Sequence, residues 1–263
     1  MAWTKLEAAV EKYNQYGTVG VSVYGPNGET FSQNGDRKFR AASTVKIPLM
    51  IEIFRQIDRG ERTLDDPHVL LAEDKAAGSG VLLHMHDNIE LTLRDIIYLM
   101  ISISDNTATN ILIRYAGMDA VNATIAELGM TGSNLGREMK GRPAVPGEQE
   151  NWATPDDYVT VVRSILEGTA ASADSCAEMK AMLEKQQNTR RIARYLPEDD
   201  RITWGTKTGS ISGVTNDAGF VTTPAGTLVI GVFCEGMPDQ HIGEETIGAL
   251  TLAALEDTGL LPL

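Results

Sequence analysis

Strand-like segments occur only at the two ends of this chain, and that arrangement constrains its fold more than any other feature. Residues 18–24, Thr-Val-Gly-Val-Ser-Val-Tyr, alternate as a strand does, and after the turn at Pro26-Asn27-Gly28 residues 29–34 return as its hairpin partner. No convincing strand follows until past Leu196-Pro197, where 202–207, 213–222 and 226–234 resume the pattern around a turn at residues 223–226. The middle reads as helices at 43–59 (closed by Gly60), 92–102, 106–115, 119–128, 155–167 and 175–187, with further helices at 4–13 and 244–255. Gly78-Ser79-Gly80 marks a flexible loop, and 132–154 has no period at all; a loop that long in a compact domain is usually functional or disordered. The expected class is α/β: one antiparallel sheet flanked by the terminal helices, with an all-helical lobe inserted. The boundaries read as 1–42 with 198–263 for the α/β lobe, and 43–197 for the helical lobe with its 132–154 loop.

With 42% hydrophobic and 22% charged residues, the chain has the composition of an ordinary soluble globular protein. Its net charge of -13 argues against nucleic acid or an anionic membrane as partner, since both are held by basic patches. Acids interrupt the apolar periodicity near the start, which does not read as a signal peptide, and no long apolar run follows. As written the chain reads as cytoplasmic, or as secreted or periplasmic if a leader was removed. Cys176 and Cys234 lack metal-ligand spacing and read as two buried free thiols, and His84 with His86 lacks a third ligand, so no metal is expected.

The chemistry concentrates in Arg40-Ala-Ala-Ser43-Thr-Val-Lys46-Ile-Pro-Leu-Met50. Ser43 and Lys46 stand three residues apart at the expected start of a helix and so share one face. A serine hydroxyl is a useful nucleophile only when a neighbour takes its proton, and a lysine desolvated beside Ile47 and Leu49 has its pKa lowered toward that task. Free N–H groups and the helix dipole make the Ser43 amide a candidate for half of an oxyanion hole. An N-cap serine with a solvated lysine would give the same letters, and chance supplies about one Ser-x-x-Lys in every two such chains. Two further motifs decide between these readings: Ser104-Asp105-Asn106 after the apolar helix, and Lys207-Thr208-Gly209 at the end of a strand. Together the three are expected by chance in roughly one chain in a thousand.

This trio, in this order, resembles the class A β-lactamase and penicillin-binding-protein superfamily. The likeness covers nearly the whole length, with Lys38-Phe39-Arg40 before the serine, Thr107-Ala108-Thr109-Asn110 after the second motif and Asn216-Asp217 after the third. It implies a β-lactamase-like fold with the site in the cleft between lobes, and serine acyl-transfer hydrolysis with no cofactor. Carried onto these residues, it implies that Ser43 is acylated, Lys46 is its proton partner and Ser104 relays the proton to the leaving nitrogen. Asn106 would hydrogen-bond the substrate amide carbonyl, and Lys207 and Thr208, in the motif closed by Gly209, would bind a carboxylate. The amides of Ser43 and Ser210 would form the oxyanion hole. Arg191 matches one of two positions at which class A enzymes keep a carboxylate-binding arginine; its plain reading is a surface charge in Thr189-Arg190-Arg191. The implied partner is a small molecule carrying a carboxylate, while the natural substrate and the oligomeric state are not legible.

One departure stands out. Class A enzymes carry a water-activating glutamate in an Ω loop, in the pattern Arg-x-Glu-Pro-x-Leu-Asn, and the matching stretch here, Leu135-Gly136-Arg137-Glu138-Met139-Lys140, has Met139 at that position. A thioether cannot take a proton from water, so acylation is expected without fast deacylation. Glu138, Glu148, Glu150 and Asn151 are the candidate substitutes, each otherwise a solvated loop residue. The family's disulfide is also absent. Three functions follow: a β-lactamase with weakened turnover, a D-Ala-D-Ala-type peptidase or small-ester esterase, or a non-turnover module that traps an acyl group.

Overall fold

The computed structural model describes residues 3–261. In chain order the elements are α1 (Thr4–Asn14), β1 (Thr18–Tyr24), β2 (Thr30–Gln33), β3 (Phe39–Arg40), α2 (Lys46–Asp58), β4 (Pro67–Val69) and β5 (Glu90–Thr92). They continue as α3 (Leu93–Ser102), α4 (Asn106–Ala116), α5 (Met118–Glu127), β6 (Trp152–Ala153), α6 (Pro155–Leu166) and α7 (Ala173–Leu183). The chain closes with β7 (Thr203–Ile211), β8 (Val214–Thr223), β9 (Gly226–Glu235) and α8 (Gln240–Asp257). The sheet runs β2-β1-β9-β8-β7, antiparallel throughout, so the N-terminal hairpin joins the three C-terminal strands through β1 and β9.

Alternation along the strands splits the core. One set of inward residues, Val19, Val21, Val23, Ile230 and Val232, packs with Leu6 and Val10 of α1 and Ile247 and Leu250 of α8. The two helices are also tied end to end, since the Leu6 amide donates to Asp257 Oδ2 at 2.9 Å and Lys5 pairs with Glu256 at 2.9 Å. The opposite face, with Phe220, Val229 and Phe233, belongs to a core continuous with α2, α3, α4, α6 and α7. Tyr158 on α6 meets the Phe233 ring edge-on at 5.3 Å.

Three expectations are corrected. The middle of the chain does contain strands: β3 pairs with β6 and β4 with β5, each of two or three residues, too short to show a period. Lys207-Thr208-Gly209 lies inside β7 rather than at a strand end, because β7 keeps its pairing with β8 up to Ile211↔Val214, before the turn through Ser212 and Gly213. The last helix begins at Gln240, capped by Asp239 accepting from the Ile242 amide at 2.9 Å, four residues before the apolar period that marked it in the sequence.

Candidate active site

Ser43 does not start an α-helix. It lies in a single 3₁₀ turn, Ala42–Val45, that runs into α2 at Lys46. The turn is tightened by Thr44 Oγ1 donating to the Ala41 carbonyl at 2.8 Å, and by Ala42 at φ +49°, a left-handed conformation that a residue with a Cβ adopts at a cost. The sheet holds it from behind. Asn216 Nδ2 donates to the Arg40 carbonyl at 2.9 Å and to that of Ala41 at 3.3 Å, while its Oδ1 accepts from the Cys234 amide. Gly209 lets β7 lie against the turn: a Cβ there would come 2.8 Å from the Ala41 carbonyl oxygen and 3.2 Å from the Ser43 nitrogen.

Lys46, wholly buried, projects from the first turn of α2 and donates to the Ser104 carbonyl (2.8 Å), Ser104 Oγ (3.1 Å) and Asn106 Oδ1 (3.0 Å). Its pKa falls well below the ordinary lysine value, first through burial and then through the nearby Lys207 charge. A neutral amine has two hydrogens and a lone pair. Two of the three partners are carbonyl-type oxygens that can only accept, so they can take both hydrogens of the neutral amine and leave its lone pair to act as a base. Lys207, also buried, donates to the same Ser104 Oγ at 3.1 Å and to the Thr208 carbonyl at 2.8 Å. Burial brings its pKa to about 7, with Asp217 opposing the fall and Arg191 adding to it. Ser104, at φ +60°, thus links the two lysines, and that strained backbone turns its hydroxyl between them.

Asp105 holds this turn rather than joining it. Its Oδ1 caps α4 through the Ala108 amide at 2.9 Å, and its Oδ2 accepts from the amides of Val81 and Leu82. The segment carrying Gly78-Ser79-Gly80 is thereby drawn over the site, where the Ser79 carbonyl accepts from the Asn106 amide at 2.9 Å. Asn106 Nδ2 donates to the Ala77 carbonyl at 2.9 Å, which fixes its Oδ1 toward Lys46.

Arg191 is not a surface charge: it is 1% exposed. Its Nη1 donates to the carbonyls of Gly209 (3.0 Å) and Asn216 (2.6 Å), its Nη2 donates to Ser210 Oγ, and Glu244 lies 3.6 Å away. The polar run Thr189-Arg190-Arg191 hides this, because Thr189 and Arg190 do face solvent; Arg190 is 64% exposed and pairs with Glu244 at 3.3 Å. Asp217 is buried beside them, and burial raises its carboxyl pKa to about 6.

The loop at 132–154 is fastened at several points. Asn151 Oδ1 accepts from the amides of Gly136 and Arg137 at 2.8 and 2.9 Å, and Glu150 pairs with Arg137 at 3.1 Å, both side chains nearly buried. Met139 exchanges two backbone bonds with the Asn110 side chain, its amide to Oδ1 at 2.8 Å and its carbonyl from Nδ2 at 3.0 Å. Glu148 is bound by Arg142 and Lys140, which hold its carboxyl well below the usual range, and Glu138 faces Arg114 at 3.7 Å. Two openings meet at Ser43. One, about 630 Å³, runs past Ser104, Thr208, Ser210 and Arg191. The other, about 90 Å³, lies between Asn106 and the loop, and Met139 lines it.

The chain matches the model of the beta-lactamase enzyme family over residues 2–258. The chain belongs to the beta-lactamase enzyme family. The crystal structure of a beta-lactamase from Sphaerobacter thermophilus superposes with a TM-score of 0.98 at 63% identity, over 100% of this chain and 99% of that one. A PBP-A mutant in an acyl-enzyme complex with penicillin G superposes with a TM-score of 0.87 at 25% identity, over 98% and 97% of the two chains. Beta-lactamase VEB-1 of Pseudomonas aeruginosa is 25% identical over 247 residues, 87% of this chain and 81% of that protein. As a member of the beta-lactamase enzyme family, the protein has the class A α/β fold and is a serine hydrolase of the beta-lactamase type. No helix among the described residues is long and apolar enough to cross a membrane.

Proposed function

We propose that the protein opens β-lactams by acylation of Ser43 and releases the acyl group slowly. The observation that carries this reading is the meeting of Lys46 and Lys207 on Ser104 Oγ, in the opening that Ser43 also lines. In the proposed cycle neutral Lys46 receives the Ser43 proton, and Ser104 passes a proton to the departing nitrogen. The amides of Ser43 and Ser210 receive the developing oxyanion, since Gly209 lets β7 approach the turn. Lys207 with Thr208 binds the substrate carboxylate, and the hydroxyl of Ser210 contributes with its oxygen already accepting from Arg191. The second N–H of Asn106 Nδ2 is assigned to the acyl amide carbonyl. Deacylation is slow in this account because Met139 faces the small opening, Glu138, Glu148 and Glu150 are each ion-paired, and Asn151 is committed to the loop backbone. The intact mass of the protein after incubation with benzylpenicillin tests it. One adduct per chain, mapped to the peptide carrying Ser43 and absent in Ser43→Ala, is expected; an adduct retained in that variant contradicts the assignment.

A further inference from the structure

The charges around the two openings run against the charge of the molecule. Acids outnumber bases 36 to 23 in the whole chain, yet the charged residues lining the openings are five cations, Arg137, Lys140, Arg142, Arg190 and Arg191, and one acid, Glu150. The imbalance is not spent internally on the loop side. Arg137 is matched by Glu150 at 3.1 Å, but Lys140 and Arg142 share the single carboxylate of Glu148, at 2.6 and 2.7 Å, so one positive charge is left over. These two cations are 45% and 43% exposed, so a ligand can reach them while Glu148 holds them. Their backbone is held close to the site: a Cβ on Gly78 would come 3.0 Å from the Gly141 Cα and 2.3 Å from Asn106 Nδ2, so the 140–142 segment, Gly78 and Asn106 are packed together.

We propose that the protein selects dianionic acyl donors, with Lys140 and Arg142 receiving a second anionic group on the acyl side chain. The inference rests on the acylation reading above. There the carboxylate beside the leaving nitrogen lies at Lys207 and Thr208, and the acyl amide at Asn106. A side chain continuing past Asn106 enters the opening that Lys140 and Arg142 line together with Ser43. An anion there meets unmatched positive charge, an attraction that is weakened by salt because both cations are partly exposed. A neutral side chain gains nothing from it, so the effect is one of discrimination.

The test compares second-order acylation rates for benzylpenicillin and carbenicillin, which differ by one carboxylate on the acyl side chain. The ratio of carbenicillin to benzylpenicillin is expected to be about 5 to 10 at low salt, to fall toward one in 0.5 M salt, and to fall below one in Lys140→Gln/Arg142→Gln, where the Glu148 carboxylate is left unmatched. Lys140→Glu should invert it. Glu148→Gln, which releases both cations, should raise it. A ratio at or below one in the wild type, or one unmoved by the double substitution, overturns the proposal while leaving Ser43 acylation intact. Failure of both penicillins to label Ser43 overturns the acylation reading and this inference with it.

Discussion

Ser104 Oγ, where two buried lysines meet at 3.1 Å each, is in the proposed cycle the point at which proton transfer and carboxylate binding are coupled. The consequence is a pH dependence with a definite sign. Burial and the Lys207 charge lower the Lys46 pKa and so favour its neutral form, while Lys207, with a pKa of about 7, loses its charge as pH rises through that value. The second-order acylation rate for a penicillin should therefore fall about tenfold per unit above neutrality, whereas the methyl ester of the same penicillin, with no carboxylate to bind, should keep a flat alkaline limb. Parallel profiles for acid and ester would show that Lys207 acts on the serine instead. Met139 carries the second prediction at this scale. Its backbone is pinned by Asn110 and it lines the opening at Ser43, so Met139→Glu should place a carboxylate near the acyl carbonyl. Deacylation should speed up by as much as ~10²–10⁴-fold, and by less if the carboxylate is misplaced by an ångström, while acylation changes little. Single-turnover mass measurements on the variant decide, and an unchanged release rate would mean that the missing base is not what limits turnover.

Among the elements, β7 and the 3₁₀ turn form the contact on which the site depends. Gly209→Ala puts a methyl 2.8 Å from the Ala41 carbonyl oxygen, so strand and turn must separate. The expected cost is about 1–3 kcal/mol of stability, with acylation reduced at least tenfold because the proposed oxyanion donors, the amides of Ser43 and Ser210, move apart. Thermal unfolding and acylation rates measured together would check it, and wild-type values for both would contradict the close approach. This contact also marks the limit of what was legible in the sequence. The three motifs gave the residues that converge, because short polar signatures survive as letters. The turn at Ser43 read as helix because its departure from helical geometry lies in one φ angle at Ala42 and a bond from Thr44 to Ala41, neither of which alters the apolar period. Arg191 was found by its position relative to the motifs, but its burial was not, since the polar run around it reads as surface while the residues that enclose it, Asp217 and Glu244, lie far along the chain. The loop glutamates read as free for the same reason: their cations, Arg114, Arg137, Lys140 and Arg142, are identified only once the loop is folded.

For the whole molecule, the order of strands and helices along the chain was enough to anticipate one antiparallel sheet flanked by the terminal helices with an all-helical lobe inserted, but not that the two pack on opposite faces. The long apolar segments carried that signal, and the two-residue strands β3 and β6 carried none. Leu250 lies in the α1–α8 core and does not line the openings, although Glu244 of the same helix meets Arg190 and Arg191, so Leu250→Ala should cost about 2–5 kcal/mol in chemical denaturation while the fraction of chains that take up penicillin at low temperature stays near one. A loss of acylation without a loss of stability would show that the two faces are coupled. The central claim is that acylation machinery is complete and the group that would speed release is absent. Stopped-flow hydrolysis of a chromogenic cephalosporin, with intact mass sampled along the same time course, tests it most directly. The account predicts a burst of one equivalent per chain, a slow steady state and a persistent adduct on Ser43; turnover at hundreds per second with no accumulating adduct would contradict it.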